Sequence, residues 1–216
     1  ADELIRTFNA LLRVARLEAG PLGDNLETFD VAAMIRDLAE FYEPVAEEAA
    51  ARITVVADGP LFVTADRHLI TQALTNLIEN ALKYGINDDQ PANSGSITIG
   101  AAKTSSGAEI YVADHGTGIR PDDYERVLKR FVRLDEARSK PGTGLGLSLV
   151  AAVARQHGGS VHLADNDPGL KIVLKLPLDL LSDPPAQAPS QSLSSLASGA
   201  DMKQDPDHVR CNTMVR

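Results

Sequence analysis

Two glycine-rich stretches, one at the end of a strand-like run and one at the head of a helical run, constrain this chain more than any other feature. The first, Asp114-His115-Gly116-Thr117-Gly118-Ile119, directly succeeds an alternating run that ends at Ala113. The second, Pro141-Gly142-Thr143-Gly144-Leu145-Gly146-Leu147, opens a helical run. A lone D-x-G-x-G can be a tight turn begun by an aspartate. It can also be a buried carboxylate that accepts a hydrogen bond from an exocyclic amine, with glycines letting the backbone approach a planar base. In the second stretch, alternate glycines free backbone N–H groups to turn inward, and the helix N-terminus adds donors and partial positive charge for phosphate. It has neither the Lys-Ser/Thr ending of a P-loop nor the G-x-G-x-x-G spacing of a dinucleotide fold.

A third piece precedes both. Residues Arg67 to Tyr84 read as a helix capped by Asp66 and stopped by Gly85. At about 100° per residue, Ile70, Leu74, Leu77 and Ala81 share one face, and Asn76, Asn80 and Lys83 form a stripe roughly 110° away. A polar stripe is ordinarily a solvated face, yet solvated faces favour Glu, Lys and Arg. Two asparagines one turn apart offer neutral oxygens suited to a hard cation that keeps some of its water, and Mg²⁺ is the cation they suit best.

Around these pieces the pattern predicts an α+β domain. Residues 2–19 carry Ile5, Phe8, Leu12 and Ala15 as the seam of an amphipathic helix, fit for its own domain or for a partner helix. Next comes a helix capped by Asp30, with Pro44 inside it. Ile53–Val56 and Leu61–Thr64 flank Asp58-Gly59-Pro60 and read as a strand pair. Further strands are expected over Ser96–Ala102, Glu109–Ala113, Val161–Ala164 and Leu170–Leu176. A short helix should run from Pro121 through Phe131, and another from Leu147 to Gln156. Mixed hairpins and helices favour an open two-layer sandwich over a doubly wound parallel sheet. From Ser182 on, prolines and serines replace core residues, and 182–216 reads as a disordered tail.

Charge and cysteine usage narrow the function. A net charge of −9 and only 4% aromatics argue against nucleic acid as a partner. A single cysteine, Cys211, closes no intramolecular disulfide, which makes a reducing compartment the default. No apolar run reaches the roughly 18 residues of a membrane span, so no membrane contact is expected of this stretch of chain. The chain opens on Ala1 with a helix already in mid-stride and reads as part of something longer.

Taken in order, the three pieces resemble the ATP-binding domain of sensor histidine kinases, within the superfamily that includes gyrase, a heat-shock chaperone and mismatch-repair ATPases. Asn76 to Tyr84 is similar to the asparagine box, Asp114 to Gly118 to the first glycine box and Gly142 to Gly146 to the second. Lys129 to Asp135 is similar to the phenylalanine box, and residues 1–20 to the second helix of a dimerisation hairpin. The resemblance implies a catalytic ATP-binding domain over 27–178, with a largely antiparallel mixed sheet and helices on one face. It implies that Asn80, helped by Asn76, holds Mg²⁺, and that Lys83 and Arg138 reach phosphates. Tyr84 and Ile119 would pack near adenine, and Asp114 would read its amine. Gly116 and Gly118, with Gly142, Thr143, Gly144, Leu145 and Gly146, would cradle the nucleotide. It further implies ATP and Mg²⁺ as cofactors, a homodimer through the hairpin, and a response-regulator receiver domain as partner. The place would be the cytoplasm, with room for an anchor in the inner membrane elsewhere in the parent protein.

Hydrolases of that superfamily resemble one another in a glutamate one turn before the Mg-holding asparagine. Here the position is Asn76, and an amide cannot act as general base. Glu79, one residue before Asn80, points about 100° off the stripe. This favours a kinase. The rival is a nucleotide-binding regulatory module, either a pseudokinase or a protein kinase like the anti-sigma factors. None of His68, His115, His157, His162 or His208 sits in the family's acceptor motif, so the acceptor histidine is expected on a helix preceding Ala1.

Overall fold

The computed structural model describes residues 25–86, 95–134 and 142–183, together with Leu12 and Ala15, both helical. Apart from those two residues, the helix expected over 2–19 lies outside the described residues, as do Arg138, Pro141 and the tail beyond Asp183.

The elements run β1 (Glu27–Asp30), α1 (Val31–Glu48), β2 (Arg52–Ala57), β3 (Phe62–Ala65), α2 (Arg67–Tyr84), β4 (Ser96–Thr104) and β5 (Gly107–Ala113). Then come a 3-10 turn (Pro121–Asp123), α3 (Tyr124–Val127), α4 (Gly146–Gln156), β6 (Ser160–Asp165) and β7 (Leu170–Pro177). Five strands form one sheet in the order β2-β4-β5-β7-β6, with β2 parallel to β4 and the remaining pairs antiparallel. The two-residue period of the strands builds the core. Val55, Ile99, Val112, Ile172 and Leu163 line up across the register, as do Ala57, Ala101, Ile110, Leu174 and Val161. Both rows belong to the hydrophobic cluster that α1, α2 and α4 cover. On the opposite face, Lys171 lies 3.9 Å from the Tyr111 ring centroid and Lys175 pairs with Glu109 at 2.9 Å.

Side-chain caps start the first two long helices. Asp30 Oδ1 accepts from Ala32 N and Leu61 N, both at 2.9 Å, and Asp66 Oδ1 accepts from Leu69 N at 3.0 Å. The α2 start is also held by His157, a buried residue at the end of α4. Its Nε2 accepts from Asp66 N at 3.1 Å, so Nδ1 carries the proton and donates to Val153 O at 2.8 Å.

Two local expectations need correction. The runs on either side of Asp58-Gly59-Pro60 do not pair with each other. β2 joins the main sheet parallel to β4, and β3 pairs antiparallel with β1 in a separate two-stranded sheet. The cause is at Leu61, whose N–H goes to the Asp30 cap and whose carbonyl accepts from Val31 N. The helix begun at Pro121 ends at Val127, short of Phe131. Phe131 has φ of 61°, outside the helical region, and its N–H goes to Gly144 O at 2.9 Å in the second glycine stretch.

Candidate functional site

The C-terminal half of α2, the loop after β5 and the start of α4 enclose a cleft of about 790 Å³. Its long wall is the polar stripe. Asn76, Asn80, Lys83 and Tyr84 all line it, while Ile70, Leu74, Leu77 and Ala81 on the adjoining face are buried. α2 stops at Gly85 because the chain must pass against Asp114 there. A Cβ on Gly85 would overlap the Asp114 side chain.

Asp114 forms the base of the cleft. It is 9% exposed, and its Oδ1 accepts from Gly116 N at 2.9 Å and Leu170 N at 3.3 Å. Among the described residues no hydrogen bond is made by Oδ2, so that oxygen keeps its acceptor capacity. Burial raises the carboxyl above the usual carboxylate range, against the lowering effect of the two N–H donors and His115. Thr117, Gly118 and Ile119 continue this wall, and Val112, Leu170 and Ile172 from the sheet give it an apolar floor. A carboxylate beside a flat apolar slot is the chemistry that holds a planar base carrying an amine. His115 is half-buried and bonds Ser96 O through Nδ1 at 3.1 Å, so it staples the loop to β4 and does not line the cleft.

Gly142, Thr143, Gly144 and Gly146 close the other end. Gly144 has φ of 69°, a left-handed conformation that turns the loop back on Phe131. A Cβ on Gly142 would come within 2.8 Å of Lys83 Nζ, so the lysine reaches across to this loop. A Cβ on Gly146 would lie 3.2 Å from Asn76 Oδ1 and 3.6 Å from Asn80 Nδ2. The space in front of the two amides is therefore kept open by the lack of a side chain. Among the described residues no group of three His, Cys, Asp or Glu is disposed to hold a metal. The amide oxygens fit a Mg²⁺ that takes most of its ligands from phosphate and water.

Of the residues expected from sequence, eleven line the cleft: Asn76, Asn80, Lys83, Tyr84, Asp114, Gly118, Ile119, Gly142, Thr143, Gly144 and Gly146. Gly116 and Leu145 are buried behind it and support it. Arg138 lies outside the described residues. The structure adds Arg133, a lining cation that the sequence places in the phenylalanine box without a site role, and the apolar floor, whose residues read only as strand core.

Known proteins are similar to this chain in sequence and fold. Residues 65–180 match the family described as histidine kinase-, DNA gyrase B-, and HSP90-like ATPase. The sensor protein IrlS of Burkholderia pseudomallei is 39% identical over 180 residues, covering 82% of this chain and 37% of that protein. The sensor-like histidine kinase SenX3 of Mycolicibacterium smegmatis is 33% identical over 186 residues, covering 85% of this chain and 47% of that one. The chain thus spans less than half the length of these curated relatives. Among solved structures, full-length ShkA in complex with AMPPNP has a TM-score of 0.72 and 28% identity, covering 86% of this chain and 37% of its own. The mycobacterial sensor histidine kinase MprB has a TM-score of 0.58 and 28% identity, over 70% of this chain and 97% of its own.

Proposed function

This chain belongs to the histidine kinase-, DNA gyrase B- and HSP90-like ATPase family, as a histidine kinase catalytic ATP-binding domain, and on that premise we propose that it transfers the γ-phosphate of Mg-ATP to a histidine on a dimerisation helix. The phosphoryl group then passes to an aspartate of a response-regulator receiver domain. Asp114 Oδ2 accepts the adenine amine, Tyr84 and Ile119 flank the ring, and the apolar floor excludes water from it. Asn80 and Asn76 would hold the metal through their amide oxygens. Lys83 and the inward N–H groups of Gly142 to Gly146 draw the triphosphate to the opposite end, joined by Arg133 and, in this reading, by Arg138. When bound, Mg²⁺ would supply charge neutralisation to the triphosphate.

The observation that carries a kinase in preference to a hydrolase is the state of Asn76. Its Nδ2 donates to Gln72 O of its own helix at 2.9 Å, so the amide oxygen faces the cleft and nothing at this position can take a proton from water. Among the described residues, the two carboxylates that line the cleft are engaged elsewhere: Asp114 at the base end, and Glu79 by Tyr42 OH at 3.2 Å. Among the described residues no histidine lines the cleft: His157 is buried at the end of α4, His115 bonds Ser96 O of β4, His162 lies on β6 and His68 opens α2.

We assign residues 27–178 to catalysis and residues 1–20 to the second helix of the dimerisation hairpin through which the protein forms homodimers in the cytoplasm. No described helix is long and apolar enough to cross a membrane. The test is phosphoryl transfer from γ-labelled ATP to a separately made hairpin carrying an acceptor histidine. The expected product is an acid-labile, alkali-stable phosphohistidine on the hairpin. A stable phosphohistidine formed by this chain alone would overturn the assignment.

A further inference from the structure

Glu79 is the feature of the cleft that the transfer reaction leaves unused. It directly precedes Asn80, lines the cleft, and is exposed. A carboxylate there is poorly matched to a site meant to protect a phosphoryl group from water. Its side chain has three rotatable torsions, and rotation toward the neighbouring Asn80 would bring an anionic oxygen toward the end of the cleft that the two asparagines line. Such an oxygen binds Mg²⁺ or its waters better than an amide does. It also does what Asn76 cannot, which is to take a proton from water.

The structure contains a restraint. Tyr42 on α1 is buried at 8% exposure, and its hydroxyl donates to Glu79 Oε1 at 3.2 Å, across the contact between α1 and α2. A buried phenol without an acceptor is costly, so this bond holds the tyrosine and the glutamate alike. Burial, and after it the charge of Glu79, raises the phenol above its ordinary value, so that it stays a donor through the neutral range. The donor comes from α1, which contributes no residue to the lining of the cleft.

We propose that Tyr42 is a positioning residue that withholds the Glu79 carboxylate from the metal and γ-phosphate end of the cleft, and so biases the domain toward an imidazole acceptor over water. The inference rests on reading this cleft as a Mg-ATP site. Released from Tyr42, Glu79 assists a balanced hydrolysis. The water oxygen bonds to the γ-phosphorus, the bond from that phosphorus to the bridging oxygen breaks, and ADP leaves with the electron pair. The proton lost by water goes to the Glu79 carboxylate, which returns it to solvent.

The test is Tyr42→Phe, which keeps the ring in its packing and removes only the hydroxyl. Two quantities are measured on the whole chain. One is the Mg²⁺ concentration for half-maximal binding of a non-hydrolysable ATP analogue, which involves no turnover. The other is phosphate release from ATP without any histidine acceptor. Tyr42→Phe should lower the Mg²⁺ requirement several-fold and raise phosphate release by about tenfold, below the range a fully placed general base contributes. Adding Glu79→Gln to Tyr42→Phe should return both to parental values. If Tyr42→Phe matches the parent in both, or if its effects persist in the double variant, the proposal is wrong. A parent chain that fails to bind the analogue overturns the site reading itself, and this inference with it.

Discussion

Replacing Asp114 with asparagine exchanges one oxygen for an amine and separates the two jobs of that side chain. Asp114 Oδ1 accepts the N–H groups of Gly116 and Leu170, and an asparagine keeps both bonds by placing its own oxygen there. Its Nδ2 then takes the place of Oδ2 and meets the adenine amine donor to donor. The loss is one charge-assisted hydrogen bond, about 1.5–3 kcal/mol, or roughly 10- to 150-fold in affinity. Calorimetric titration with a non-hydrolysable ATP analogue reads this directly. The matching inosine analogue, which carries an acceptor where adenine has its amine, should lose far less affinity. Equal losses for both bases, or none for adenine, would refute the assignment of Oδ2. The pH dependence gives a second readout. Burial holds the folded-state pKa above the unfolded value, so the folded protein keeps this proton where the unfolded chain has lost it. Stability therefore falls as pH rises through that window, and the penalty persists above the folded pKa. Asp114→Asn removes the slope, and its stability relative to the parent should increase with pH. Parental affinity for the adenine analogue should decline as pH drops through the raised pKa, because the protonated carboxyl no longer offers a carboxylate oxygen.

Other residues yield separate outcomes. Gly146→Ala should leave the unfolding temperature unchanged or slightly raised, since alanine favours the helix by about 1 kcal/mol. Its Cβ would stand 3.2 Å from Asn76 Oδ1, so Mg-dependent binding of the analogue should weaken by about tenfold, and undiminished binding would count against the cradle. Lys83→Met keeps the aliphatic stem and should weaken the analogue by about tenfold, with a shallower dependence on salt that a titration series would show. His157→Ala should destabilise by about 1–3 kcal/mol in urea unfolding, because Asp66 N–H and the end of α4 lose their shared partner. A variant of parental stability would mean that water replaces the imidazole.

Most of the cleft lining was legible because its parts are local. The Asn76, Asn80 and Lys83 stripe comes from helical period alone, and the caps Asp30 and Asp66 stand where the sequence predicts them. The glycine stretches fall at the end of β5 and at the start of α4 for the conformational reasons that glycine imposes. The parts that were not legible depend on distant partners. β2 pairs in parallel with β4, a strand reached only after α2, and nothing in Ile53 to Val56 names that partner. Val112, Leu170 and Ile172 look like ordinary strand core until the sheet brings them under the cleft. Tyr42 carries a helical core period, which hides the destination of its hydroxyl 37 residues along the chain.

The central claim is that Asn80 and the glycine cradle hold Mg-ATP. Titration of the chain with the non-hydrolysable analogue, with and without Mg²⁺, tests it most directly when repeated on Asn80→Ala, a change that a helix tolerates well. The parent should bind more tightly with Mg²⁺ than without, and Asn80→Ala should lose that difference while retaining the Mg-independent part. Parental binding that ignores Mg²⁺, or an Asn80→Ala variant with the full Mg²⁺ dependence, would contradict it.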